Sequence, residues 1–250
     1  MTRFVLPFLL LSSSFAVESR ELFTNGATTR EQSLAFPWTV GISFEGFHFC
    51  SGAMISDTLV LTAGSCLAIF EEGTSLDIVL GDGQRSTSME TTVHPDYNST
   101  TLYADLGIIR LPKPFQVGSF WHYPSFDVSS QVVPLGLPSP GEILEEGDSI
   151  CLEDQQAGVV CLQVLSPSYC LVVNEKFPDG MLCVESMHAY LCSAGTPGNP
   201  GVGRQDEDEQ WRLGGVMVNG QLNNCQTGFP FWMTSAEYFV DWIKDLMVQQ

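Results

Sequence analysis

Leu61-Thr62-Ala63-Gly64-Ser65-Cys66, in one-letter code LTAGSC, is the stretch on which the reading of this chain turns. It continues the apolar pair Leu59-Val60 and ends in a cysteine sixteen positions after Cys50. A short apolar run closed by small residues reads as a buried strand leaving a core, with a bend at its end.

Runs of the same kind recur on both sides of it. They are Trp38 to Phe44, Phe47 to Cys50, Leu76 to Leu80, Leu106 to Leu111, Val159 to Leu165, Met181 to Val184 and Leu213 to Val218, separated by Gly, Pro and Asp. Many short strands with turn signals between them predict an all-β sandwich or barrel. Helical periodicity is poor until the end of the chain. There Phe239, Trp242, Ile243, Leu246 and Met247 repeat on one helical face, and Thr234 and Glu237 have the spacing of a capping box. A terminal amphipathic helix over about 235–248 is expected.

The first sixteen residues carry one basic residue, the apolar run Phe4 to Leu11 and a small-polar end through Ala16, which describes a secretory signal peptide over 1–16. Secretion is the expectation, and the apolar run is too short to span a bilayer. Ten basic residues stand against 29 acidic ones, a net charge of −19. That argues against nucleic acid and anionic membranes as partners. Asp206-Glu207-Asp208-Glu209 reads as a solvated hairpin tip, or alternatively as a contact for a basic partner. Eight cysteines behind a secretory signal predict four disulfides, and they are not in the paired spacing of a zinc site. Asn98-Ser99-Thr100 is the one N-glycosylation sequon. No metal or cofactor motif is visible.

Taken together, several segments resemble the trypsin/chymotrypsin-like (S1) serine protease family. Phe36-Pro37-Trp38-x-Val40 is similar to its FPW-x-V, Phe49-Cys50-Ser51-Gly52 to FCGG, and Val60 to Cys66 to VLTAAHC. His94 to Asn98 is similar to HPxYN, Asp105 to Leu111 to DIALLKL, Pro134 to Pro138 to PICLP, and Phe239 to Ile243 to YxxWI. The resemblance implies two packed six-stranded antiparallel β-barrels with a cleft between them and a C-terminal α-helix. Residues 17–24 would be a short N-terminal remnant and 25–250 the domain, with barrel one about 25–128 and barrel two about 129–234.

It also implies disulfides. Cys50–Cys66, Cys170–Cys183 and Cys192–Cys225 match family pairs. Cys151 matches a family position whose usual partner follows the nucleophile block, where 200–203 hold no cysteine; Cys161 is then the expected partner. Gly136 stands where PICLP has its cysteine, so no tether to the N-terminus is expected.

Against that template the chemistry is missing. The general base of the family falls at Ser65, and a hydroxyl cannot take up a proton near neutral pH as an imidazole can. The orienting carboxylate survives as Asp105. The nucleophile falls at Thr196 counting from Cys192, or at Pro197 if Gly198 and Pro200 are matched to the family's glycine and proline. Proline lacks the N–H that would form half of an oxyanion hole, and threonine without a base has no means of deprotonation.

The activating N-terminus is represented by Leu22-Phe23-Thr24-Asn25-Gly26, and the aspartate that would receive it by Gly195 or Thr196. Pocket counterparts are Tyr190, Val218, Asn219, Gly220 and Phe231; bulk at 190 and 231 should fill the pocket. The 81–94 segment is too short and too poor in acids for the family's calcium loop. His48 and His94 read as structural, and His122 and His188 have no visible serine partner. The sequence therefore predicts a secreted, non-proteolytic member of the family that binds an unidentified protein or peptide, with a basic partner among the candidates. The alternatives are a weak hydrolase using Thr196 and a decoy for protease inhibitors.

Overall fold

A computed structural model of the chain describes residues 36–117, 134–139, 141, 143–154, 158–173, 177–185, 196–204, 211–218 and 230–248. The signal-peptide and activation segments, Tyr190, Asn219, Gly220, Cys192, Cys225, His122, His188 and the 206–209 acidic run lie outside them.

Seven strands make the first sheet: β1 Thr39–Phe44, β2 Phe47–Met54, β3 Leu59–Thr62, β4 Asp77–Leu80, β5 Arg85–Thr87, β6 Glu90–Val93 and β7 Gly107–Arg110. Their order is β5-β4-β1-β2-β3-β7-β6. The apolar runs anchor β1 to β4 and β7 because their side chains meet in one core; Ile42, Leu59, Leu61, Leu76, Ile78 and Ile109 are fully buried. Six strands were expected here. Arg85-Ser86-Thr87 and Glu90-Thr91-Thr92-Val93 carry no apolar run, and backbone pairing to β4 and β7 makes them strands. The β1–β2 hairpin turns at Glu45 and Gly46, both at positive φ (50° and 82°). Two successive positive φ values are those of a type I′ turn, whose twist matches that of the flanking strands.

The second sheet closes into a six-stranded barrel, in the order β10-β13-β12-β11-β8-β9. Its strands are β8 Ser149–Asp154, β9 Gly158–Leu165, β10 Met181–Glu185, β11 Pro200–Arg204, β12 Trp211–Met217 and β13 Pro230–Ser235. Ile150, Leu152, Leu162, Val184, Met217 and Met233 are among the residues filling it. This is the all-β architecture read from the sequence.

Among the described residues three helices accompany the strands: α1 Gly64–Leu67, α2 Pro167–Val173 and α3 Val240–Val248. The seven-residue α2 was not expected. It opens with proline, whose fixed φ suits a first helical position, and it is too short to show a period. Helix α3 lays Ile243 into the core beside Phe239, the residue that precedes the helix, with Trp242, Leu246 and Met247 packed beside them. It begins five residues later than the sequence suggested. Thr234 is not its cap: it is a β13 residue paired with Met181 and Val216. Its hydroxyl donates instead to the carbonyl oxygen of Asp105 at 3.3 Å. Glu237 likewise accepts from the Gly141 N–H at 3.1 Å rather than from a capped turn. The ladder outweighs the local capping preference because it satisfies every backbone group of the strand at once.

Candidate functional site

Strand pairing brings the site together. β3 and β7 run antiparallel with Thr62 opposite Gly107. Ser65 lies three residues beyond one strand end, and Asp105 two residues before the other. The short helix α1 then turns Ser65 back over Asp105. The Ser65 N–H donates to Asp105 Oδ1 at 2.5 Å and the Ser65 hydroxyl donates to Asp105 Oδ2 at 2.9 Å. Asp105 is fully buried and Ser65 is 6% exposed.

Backbone strain precedes the carboxylate. Leu102 and Ala104 both hold positive φ, 61° and 51°. Non-glycine residues there cost of order 1–3 kcal/mol each and persist only where the surroundings dictate them. Here the strained turn delivers Asp105 into the core, and Thr234 fastens its carbonyl to the second barrel.

Tyr97 completes the cluster. Its phenol is half-buried; burial, and then the negative charge of Asp105, raise its pKa, and the neighbouring Ser65 side chain partly offsets the rise. The Ser65 hydroxyl thus ends on the carboxylate as a donor, and a hydroxyl there is not a proton acceptor at neutral pH.

Opposite this cluster lies the nucleophile block. Thr196-Pro197-Gly198-Asn199 is a β-turn closed by Asn199 N–H to Thr196 O at 3.1 Å, with Gly198 at φ 82°. Proline at the second position and glycine at the third are the residues a type II turn requires. The Pro197 carbonyl accepts the Ser51 N–H at 2.9 Å, and the Gly198 N–H donates to Met217 O at 2.8 Å. A Cβ on Gly198 would collide with Ser51 O and Thr62 Oγ1. The turn is thus seated directly on the strands that lead to Ser65. Asn199 is buried and donates through Nδ2 to Glu153 O at 2.6 Å.

The remaining predicted residues are placed as follows. Val218 is 2% exposed at the end of β12. Phe231, opposite Val184 on β13, has its ring in the apolar filling of the second barrel. Asn98 is exposed, and its Oδ1 accepts from the Thr100 and Thr101 N–H groups at 2.9 and 3.0 Å. His94 is packed against Phe239 and Trp242, with ring centroids at 5.1 and 4.6 Å, and Nδ1 accepts the Asp96 N–H at 3.1 Å. His48 stands at an exposed position of β2.

Sulfur bridges join Cys50 to Cys66, Cys151 to Cys161 and Cys170 to Cys183. The first ties β2 to α1 across 16 residues, which contributes about 3 kcal/mol on a chain-entropy account. Where PICLP has its cysteine, Gly136 makes a parallel bridge to Arg212. Among the described residues no group of three His, Cys, Asp or Glu side chains could hold a metal, and no helix is long and apolar enough to cross a membrane. Sequence reasoning missed two members of the cluster, Tyr97 and Thr234. Tyr97 stood in the HPxYN match, but only the fold brings it to Ser65.

Comparison with known proteins agrees with this geometry. Brachyurin of Leptuca pugilator is 28% identical over 84% of this chain and 92% of its own length. Serine protease 1 of Rattus norvegicus is 25% identical over 96% of each. Among solved structures, kallikrein-related peptidase 10 shares the fold with a TM-score of 0.68 at 22% identity, over 85% of this chain and 95% of that one. The family model described as Trypsin matches residues 24–243, and the chain belongs to the trypsin family of serine proteases.

Proposed function

We propose that this chain is a non-proteolytic member of its family, secreted, that uses the fold to bind a protein or peptide. The observation that carries the reading is the Ser65–Asp105 pair. At the position of the family's base a hydroxyl spends its one proton on the carboxylate, so no group there can deprotonate a nucleophile. The Pro-Gly turn supports it from the other side. Gly198 has no room for a Cβ and Pro200 opens β11, which favours matching these two to the family's glycine and proline. Pro197 then holds the nucleophile position, with neither hydroxyl nor N–H to offer. Of the two described histidines, His94 is engaged by Asp96 and the aromatic rings of Phe239 and Trp242. The net charge of −19 favours a basic partner. Secretion, removal of 1–16 and a glycan on Asn98 belong to the same proposal.

The purified chain tests it with a fluorophosphonate probe, which labels an activated hydroxyl. No labelling is expected. Labelling abolished by Thr196→Ala would overturn the reading in favour of a hydrolase. Retention on an inhibitor column would favour the decoy.

A further inference from the structure

We propose that Cys161 Sγ is a site of thiol–disulfide exchange, at which the Cys151–Cys161 bridge opens reversibly to a small thiol or dithiol while the domain stays folded. The three described bridges differ in their surroundings. Cys50, Cys66, Cys170 and Cys183 are all between 0% and 3% exposed. Cys151 is also covered, at 6%, against the core of the first sheet. Cys161, however, is exposed. The alternation along β9 shows why: Leu162 and Val164 point into the barrel, so Cys161 and Gln163 point out. An attacking thiolate can therefore reach one sulfur of this bridge without any opening of the fold, and access of this kind governs exchange.

Register adds a second argument. Cys151 and Cys161 are directly opposite in the β8–β9 ladder, and their Cα atoms are 3.9 Å apart, against 6.2 and 5.8 Å in the other two bridges. Most disulfides span 4.4–6.8 Å, and departures from that range make the bond easier to reduce. The bridge is also redundant to the topology. β8 and β9 pair continuously from Ser149 opposite Gln163 to Asp154 opposite Gly158. The hairpin stays closed by its backbone bonds when the sulfurs part. By contrast, Cys50–Cys66 joins a strand to a helix, and Cys170–Cys183 joins α2 to β10.

The chemistry balances with an external thiol. A thiolate attacks Cys161 Sγ and the S–S bond breaks. Cys151 leaves as a thiolate and takes a proton from water, and Cys161 carries the mixed disulfide. With a dithiol, the second thiol attacks the mixed disulfide. It releases Cys161 as a thiol and ends as a cyclic disulfide, having supplied both electrons. The opened strand reaches the nucleophile block, because β8 continues to Glu153, whose carbonyl holds Asn199.

The test uses the full native chain at neutral pH in buffers of graded reduced-to-oxidised dithiothreitol, trapped with N-ethylmaleimide and read by peptide mapping. Cys151 and Cys161 should label together at ratios that leave Cys50, Cys66, Cys170 and Cys183 unlabelled, with unfolding in urea still cooperative. Trapping with reduced glutathione should place the mixed disulfide on Cys161 and not on Cys151. The proposal is overturned if either buried bridge opens first or at the same ratio. It is equally overturned if Cys151 and Cys161 label only in urea that unfolds the chain, or if glutathione is found on Cys151.

Discussion

Replacing Ser65 with alanine isolates what the hydroxyl does. In the folded chain it donates to Asp105 Oδ2 at 2.9 Å, and the carboxylate is fully buried. Alanine keeps the Ser65 N–H bond to Oδ1 and removes only this donor. Ser65 is 6% exposed, so bulk water does not simply replace it. A hydrogen bond to a charged group contributes roughly 1.5–3 kcal/mol net, and a buried acceptor left short of partners carries its desolvation penalty. Ser65→Ala should therefore destabilise by about 2 kcal/mol, which for a domain of this size lowers Tm by roughly 4–8 °C. Urea unfolding followed by tryptophan fluorescence measures it, with Ser99→Ala on the exposed sequon loop as the control. Asp105→Asn sharpens the test. The amide oxygen still accepts the Ser65 N–H while the amide nitrogen donates to Ser65 Oγ, reversing the second bond. The double variant should then cost less than the two single changes added, by about 1 kcal/mol, as expected for residues in direct contact. A Ser65→Ala change within about 0.5 kcal/mol of wild type, the range of ordinary surface substitutions, would refute the structural role given to this hydroxyl.

Two further outcomes follow from the same structure. His94 has its pKa lowered by burial, partly offset by the charge of Asp96, and Phe239 and, from α3, Trp242 face it. A folded-state pKa below the unfolded one means the unfolded chain binds the proton more readily, so this contribution is complete above the unfolded value near 6.5 and is lost as pH falls through the folded one. Urea midpoints should fall between neutral pH and about pH 5, and His94→Asn, which can still accept the Asp96 N–H, should flatten that fall; an unchanged slope in the variant counts against it. At the β1–β2 tip, Glu45 holds φ 50° before Gly46. Glu45→Asn gives the Asn-Gly pair that a type I′ turn favours and should stabilise by about 0.5–1 kcal/mol in the same assay, while a loss of stability would show that the Glu45 side chain makes a contact worth more than the turn.

What the sequence disclosed, and what it did not, divides along one line. Buried strands such as Leu59–Thr62 and Gly107–Arg110 were legible because burial on both faces demands a run of apolar residues. Arg85–Thr87 and Glu90–Val93 were not, since an edge strand needs only backbone pairing, which leaves no composition to read. At the site the order of LTAGSC and DLGIIRL pointed to Ser65 and Asp105. Thr234 was misread as a helix cap because its spacing to Glu237 satisfies a local rule, and only the fold places its hydroxyl 129 residues away against Asp105. The conformation of the Thr196 turn was latent in its Pro-Gly pair, whereas its seat on Ser51 and Thr62 was not.

Asp105 has a physical role in the fold that does not depend on catalysis. In an active member of the family a buried carboxylate at this position orients an imidazole. Here it accepts two bonds from Ser65, and its backbone carbonyl accepts one from β13. The turn at Leu102 and Ala104, both at positive φ, leads directly into the buried Asp105. Serine at position 65 supplies that carboxylate with a side-chain donor. Alanine or valine would remove that one donor, at a cost of roughly 1.5–3 kcal/mol out of a total stability of only about 5–15 kcal/mol. Serine loses the proton acceptor and keeps the proton donor. On the proposed reading the Ser65–Asp105 pair is a satisfied part of the core, and an aspartate opposite LTAGSC does not by itself signal a working triad.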